Sequence, residues 1–143
     1  MSYGVRLMVW GDYALFTRPE LKVERVSYDC ITPSAARGIL EAIFWHPGLK
    51  WKIDRIQICN PIRFGNIRRN EVATKIKATK IKRAIEHGET IVLVISGDIR
   101  QQRASIILKD VRYVIEAHFE MTDNASPSDN PGKFAELFKR RAR

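Results

Sequence analysis

The stretch VRYVIEAHFEM, residues 111–121, constrains the fold of this 143-residue chain more than any other. Val111, Tyr113, Ile115, Ala117, Phe119 and Met121 share one face, and Arg112, Glu116, His118 and Glu120 share the other. Successive side chains of an extended chain point to opposite sides, so this pattern predicts a strand buried on one face only. Such a strand needs hydrogen-bonding neighbours and an apolar cover.

The chain supplies both. GVRLMVW predicts a strand with Val5, Leu7 and Val9 on one face. Gly11 and Asp12 break or bulge it, and YALFTRPE extends it as an irregular edge ended by Pro19. WKIDRIQIC alternates through Trp51, Ile53, Ile56 and Ile58 with a slip near Asp54, and IRFGNIRRNEV is a second extended run. TIVLVIS reads as a buried strand, and ASIILKDVRYVIEAHFEM as two strand segments meeting near Lys109–Asp110.

Two amphipathic helices are the cover. In ITPSAARGILEAIFWHPG, Thr32 is the N-cap, Pro33 the first helical residue, and Pro47–Gly48 the stop. Its apolar stripe is Ala36, Leu40, Ile43 and Phe44, with Arg37 and Glu41 opposite. KFAELFKRRAR carries Phe134, Leu137 and Phe138 on one side and follows the loop TDNASPSDNPG. TKIKATKIKRAIEHG starts as a loop and becomes a short helix stopped by Gly88, with His87 at its C-terminal end. The order gives one α+β domain over residues 1–143, on a ferredoxin-like βαββα plan with a basic insertion at about 62–103. A complete unit of that plan needs one more strand after the last helix, so the expectation is an N-terminal part of a longer protein.

Charge then narrows the function. Lys and Arg number 25 against 16 Asp and Glu, a formal charge of +9. Residues 61–84 hold Arg63, Arg68, Arg69, Lys75, Lys77, Lys80, Lys82 and Arg83 against the single acid Glu71. Within them TKIKATKIKR sets five cations in ten residues with no carboxylate. A surplus so distributed points to a polyanion, and Ile76 and Ile81 are too small an apolar face for a membrane surface. No run reaches membrane-spanning length, and the N-terminus lacks the apolar core of a signal peptide, so a cytoplasmic protein is expected. Cys30 and Cys59 have no metal-ligand spacing and read as reduced, half-buried thiols.

The stretch VWGDYALFTRPELKVERVSYDCITPSAARGILEAIFWHP resembles the Cas-five family of type I-C CRISPR systems. NPIRFGNIRRNEV and LKDVRYVIEAHFEMTD resemble later segments of that family, in the same order. The resemblance implies an RNA-recognition-like ferredoxin domain whose basic insertion contacts the guide. It also implies a metal-independent endoribonuclease with no cofactor, cutting precursor crRNA and staying on the crRNA 5′ handle. Its partners would be the backbone and large subunits of Cascade, with neither a membrane nor a small-molecule substrate.

Such cleavage needs a base for the 2′-OH, a cation on the phosphate and an acid for the departing 5′-oxygen. The family is thought to use a Tyr, a Lys and a His, and the histidine falls at His118 in EAHFE. Glu116 and Glu120, two residues either side, share its face and should favour the imidazolium. The Tyr falls in IFWHP, where this chain has Phe44, which cannot move a proton. A following Lys falls at His46, and the Lys close before the histidine at or near Glu116. Either His46 serves as base or cation beside His118, with Lys109 or Arg112 adding charge, or the protein binds the handle without cutting. The expected RNA surface is Arg37, Arg63, Arg68, Arg69, Lys75, Lys77, Lys80, Lys82 and Arg83. Of the aromatics Trp10, Tyr13, Phe16 and Phe64, Tyr13 and Phe64 are the stronger candidates for stacking on bases. A generic RNA-recognition-like module is the reading outside this system.

Overall fold

The computed structural model describes residues 3–21, 23–72, 77–91 and 100–143. In chain order the elements are β1 (Tyr3–Ala14), β2 (Arg25–Val26), α1 (Pro33–Ile43), β3 (Leu49–Ile58), β4 (Phe64–Val72), α2 (Ala78–His87), β5 (Arg100–Met121) and α3 (Pro131–Arg141). The expected strand TIVLVIS and Lys75 lie largely or wholly outside the described residues.

All four other strands pair with β5. Antiparallel β1 lies along one side of its C-terminal half and antiparallel β3 along the other. Toward its N-terminal half β4 pairs antiparallel and the two-residue β2 parallel. The chain passes from β3 to β4 without leaving β5: the Cys59 N–H donates to the Arg112 carbonyl, and Arg63 accepts from the Lys109 N–H, each at 2.9 Å. The result is a mixed α+β fold built, among the described residues, on one five-stranded sheet.

β5 is one 22-residue strand, not two segments meeting near Lys109–Asp110. Asp110 is the irregularity, with φ 51, a left-handed conformation that Asp tolerates better than most residues. The strand runs on because its neighbours bridge the kink, with Tyr13 paired to Lys109 and Gly11 to Val111. The slip near Asp54 is a β-bulge: Ile53 pairs with Ala117 and Arg55 with Glu116, leaving Asp54 as the extra residue.

α1 and α3 lie over the apolar face. Thr32 accepts from the Ala35 N–H at 3.1 Å, and Asn130 caps α3 by accepting from Lys133 at 2.9 Å. Both helices carry Pro near the start, and Lys139, Arg140 and Arg141 occupy the last turn of α3 at the negative end of its dipole. α2 ends at Gly88, whose φ of 64 lets its N–H reach back to Ala84 and Ile85. The core joins Leu40, Phe44, Trp51, Ile115, Phe119, Phe134 and Phe138. Trp51 packs edge-on against Phe119 at 5.3 Å and tilted against Phe138 at 5.1 Å.

α1 is shorter than its sequence suggests, ending at Ile43. Proline at 47 clashes with a helical carbonyl at 43 and pushes its predecessor out of the helical region. Phe44 is extended, yet its ring stays buried against Phe134, and its carbonyl accepts the Trp51 indole N–H at 3.0 Å. Cys30 is half-buried, as expected, but Cys59 is exposed at the β3–β4 turn.

One carboxylate ties the basic half together. Glu71 on β4 lies 2.8 Å from Arg69, 3.1 Å from Arg103 on β5 and 3.6 Å from Arg25 on β2. Arg69 also donates to the buried Ser105 hydroxyl at 3.0 Å. Among the described residues no helix is long and apolar enough to cross a membrane, and no group of three or more His, Cys, Asp or Glu is placed to hold a metal ion.

Two stability predictions result. Trp51→Phe keeps most of the packing but leaves the Phe44 carbonyl unpaired, and should lower stability by about 1–3 kcal/mol in urea unfolding. Glu71→Gln leaves three arginines facing one another, and should cost about 1–2 kcal/mol on the same measurement, the partial exposure of the network reducing the effect. An unchanged midpoint in Glu71→Gln would show that the arginine cluster does not hold the strands.

Candidate RNA-facing site on the open sheet face

The alternation of β5 assigns its side chains to two surfaces. Odd positions from 113 to 119 are buried under the helices, whereas His118 and Glu120 emerge on the helix-free side. By register His118 lies between Gly4 on β1 and Lys52 on β3, and Glu116 between Arg6 and Arg55.

The strongest partner of His118 comes from β3. Both carboxylate oxygens of Asp54 lie 2.8 Å from His118 Nδ1, and Glu120 Oε1 lies 3.7 Å from Nε2. The imidazole pKa is raised above the ordinary value, first by the hydrogen bond to Asp54, against a smaller desolvation effect, with the charges of Asp54 and Glu120 adding to the rise. Glu116, expected to share this role, is instead 3.6 Å from Arg6. The sequence carried a trace of Asp54 in the slip between Ile53 and Ile56, since a change of parity demands an extra residue. It held nothing to show which histidine that residue would meet.

His46 is elsewhere. It follows α1 on the helix side, with its ring 4.8 Å from Phe134, so it and His118 are on opposite faces of the sheet. Its Nδ1 accepts from the Gly48 N–H at 2.9 Å, and Nε2 lies 3.8 Å from Asp129. The Asp129 carboxyl is held below the usual range, first by the backbone N–H of Ser126, with His46 and Lys133 contributing. His46 thus ties the end of α1 to the loop before α3, and the structure does not bring it beside His118. Phe44 is likewise on the helix side, only 4% exposed, beneath the Arg141 guanidinium at 5.3 Å.

The remaining cations divide by their engagement. Arg63, Arg68, Lys77, Lys80, Lys82 and Arg83 are exposed, the last three on α2, with Lys82 4.0 Å from Glu86. Arg69 is held by Glu71 and Ser105, and Arg37 is 3.4 Å from Glu41. Arg112 faces the open side, but it is six residues from His118, about 20 Å along a strand, and Lys109 is farther still. Lys52, directly across from His118, is the cation the sequence reading missed.

Tyr13 and Phe64 are exposed, at 63% and 47%. They pair with Lys109 and Leu108, consecutive residues of β5, so strand alternation sends them to opposite faces. Phe16 packs edge-on against Tyr113. Trp10, 71% exposed and paired with Arg112, shares the open face with His118.

The chain is similar to known proteins in sequence and in fold. The family described as "CRISPR-associated protein (Cas_Cas5)" matches residues 4–143. A protein of Mannheimia succiniciproducens named "CRISPR pre-crRNA endoribonuclease Cas5d" is 55% identical over 143 residues, covering 99% of this chain and 64% of its own length. One of the same name from Thermus thermophilus is 42% identical over 140 residues, covering 96% of this chain and 53% of its own length. The chain thus spans between half and two thirds of the curated relatives it matches. A crystal structure titled as a CRISPR-associated protein superposes with a TM-score of 0.62 at 21% identity, over 98% of this chain and 55% of that one. A functionally uncharacterized protein from Streptococcus mutans gives 0.60 at 21%, with the same coverage, and both likenesses bear on the fold alone. The chain belongs to the CRISPR-associated Cas5 family, in its type I-C (Cas5d) group.

Proposed function

We propose that this chain is the RNA-binding and proton-transfer portion of a type I-C Cascade subunit that cleaves precursor crRNA repeats and stays on the crRNA 5′ handle. The observation that carries the reading is the 55% identity, across 99% of the chain, to a protein named as a pre-crRNA endoribonuclease. The neighbouring order β1–β5–β3 supports a ferredoxin-like sheet, because those are three of its four strands in its order. Nucleic-acid partners in a cytoplasmic assembly suit the charge of +9.

In this mechanism the 2′-hydroxyl gives its proton to solvent water as its oxygen attacks the adjacent phosphorus, forming a 2′,3′-cyclic phosphate as the P–O5′ bond breaks. His118 gives a proton to the departing 5′-oxygen, a role suited to an imidazole held charged beside carboxylates. Lys52, across from it, offers positive charge to the scissile phosphate. Lys77, Lys80, Lys82, Arg83, Arg63 and Arg68 track the backbone and contribute affinity without sequence preference.

A second reading, a handle-binding scaffold that does not cut, is favoured by one observation. Phe44, where the family's tyrosine is expected, is buried on the side of the sheet away from His118 and has no proton to transfer.

The two readings part in a cleavage assay of labelled cognate repeat RNA in EDTA. The first expects a discrete product, lost by about 100-fold or more in His118→Ala; tight binding with no product selects the scaffold. Changing Lys80, Lys82 and Arg83 together to Gln should lower the slope of log affinity against log salt by about 2, at roughly 0.7 per single-strand phosphate contact. An unchanged slope would remove α2 from the RNA surface.

A further inference from the structure

We infer that Asp54 is a positioning residue for His118: the bulge in β3 turns its carboxylate onto Nδ1 and leaves Nε2 as the nitrogen that exchanges a proton with the substrate. The inference rests on the reading that His118 moves a proton during RNA cleavage.

The local geometry follows from the sequence. Trp51 and Ile53 set one parity for the buried face, and Ile56 and Ile58 set the other, so one residue between them must be extra. That residue is Asp54, inserted on β3 where the strand runs past Ala117 and Glu116. A bulge re-aims a side chain at the cost of a ladder position, and here it brings a carboxylate to His118 from a neighbouring strand.

A carboxylate only accepts, so contacts of 2.8 Å from both its oxygens require the proton to be on Nδ1. In the neutral ring Nε2 then carries the lone pair, and in the charged ring it carries the transferable proton. Its neighbour Glu120 Oε1, at 3.7 Å, is too distant for a hydrogen bond and is 60% exposed, so an approaching phosphate oxygen displaces it into solvent.

The charged groups facing the imidazole are Asp54 and Lys52 from β3 and Glu120 from β5, while Glu116 is engaged by Arg6 of β1. The carboxylates outweigh the lysine, and the raised pKa agrees with that balance. In linkage terms the charged pair contributes its stability fully below the unfolded His value, about 6.5, and loses it as pH rises through the higher folded value.

The test follows the His118 ring resonances by NMR titration of the 143-residue chain, beside RNA cleavage across pH. Asp54→Asn retains an oxygen acceptor of nearly the same shape but no charge. It should lower the His118 pKa, move the corresponding limb of the pH–rate profile to lower pH, and reduce kcat by at least about tenfold with KM little changed. Glu116→Gln, the control for a nearby carboxylate lost, should leave the titration where it was. An Asp54→Asn chain with the wild-type titration would overturn the inference, whatever its cleavage rate. A lowered titration in Asp54→Asn, beside a wild-type chain that binds RNA without cutting, would uphold the hold of Asp54 on His118 and sink the cleavage reading instead.

Discussion

Among the described residues, each of the other four strands pairs with β5, so the placement of the candidate side chains on the sheet goes back to that one strand. Its C-terminal half pairs on both sides, with β1 and β3, which fixes the register of both against the same residues. A slip of one residue would turn the whole set Tyr113, Ile115, Ala117 and Phe119 toward solvent, and His118 into the core. The burial of Ile115 in the core is therefore what keeps His118 outside. At Asp110 the strand departs from regular geometry but keeps its partners, which is how a run of 22 residues can serve two halves of the sheet.

The surplus of positive charge is organised in two ways with different consequences. Around Glu71, three arginines from three strands converge on one carboxylate, and their charge works chiefly to hold β2, β4 and β5 in place. On α2 the cations stand in solvent, where exposed ion pairs contribute little to stability and remain available to a polyanion. Equal charge in the sequence thus has unequal meaning: Arg68 and Arg69 are neighbours, yet the first is exposed and the second is engaged by Glu71 and Ser105.

The two histidines singled out in the sequence show the same separation on a smaller scale. Each has a neighbour at both ring nitrogens, but His118 uses Nδ1 on Asp54 with Nε2 toward the open face, whereas His46 accepts the Gly48 N–H and packs on Phe134. Proximity to the helices makes the second part of the scaffold. With Phe44 also on that side, the carboxylates beside His118 on the open face come from β3 and β5.

Much of the fold was legible because it rests on local rules. Period-two alternation marked the strands, Thr32–Pro33 and Gly88 marked helix ends, and the phenylalanines at 134 and 138 marked the buried side of α3. Even the bulge left its sign in the change of parity after Ile53. Those features depend on residues a few positions apart, whose relative directions are set by backbone geometry alone. Which surfaces face one another depends on register between segments far apart in the chain. Asp54 meets His118 across 64 positions, and Glu71 meets Arg103 across 32, through pairings selected by burial of the whole apolar face. The sequence by itself determined the elements and the charge they carry; tertiary structure alone decided that His118 has Asp54 for a partner, that His46 does not join it, and that one arginine of a pair is spent on the fold.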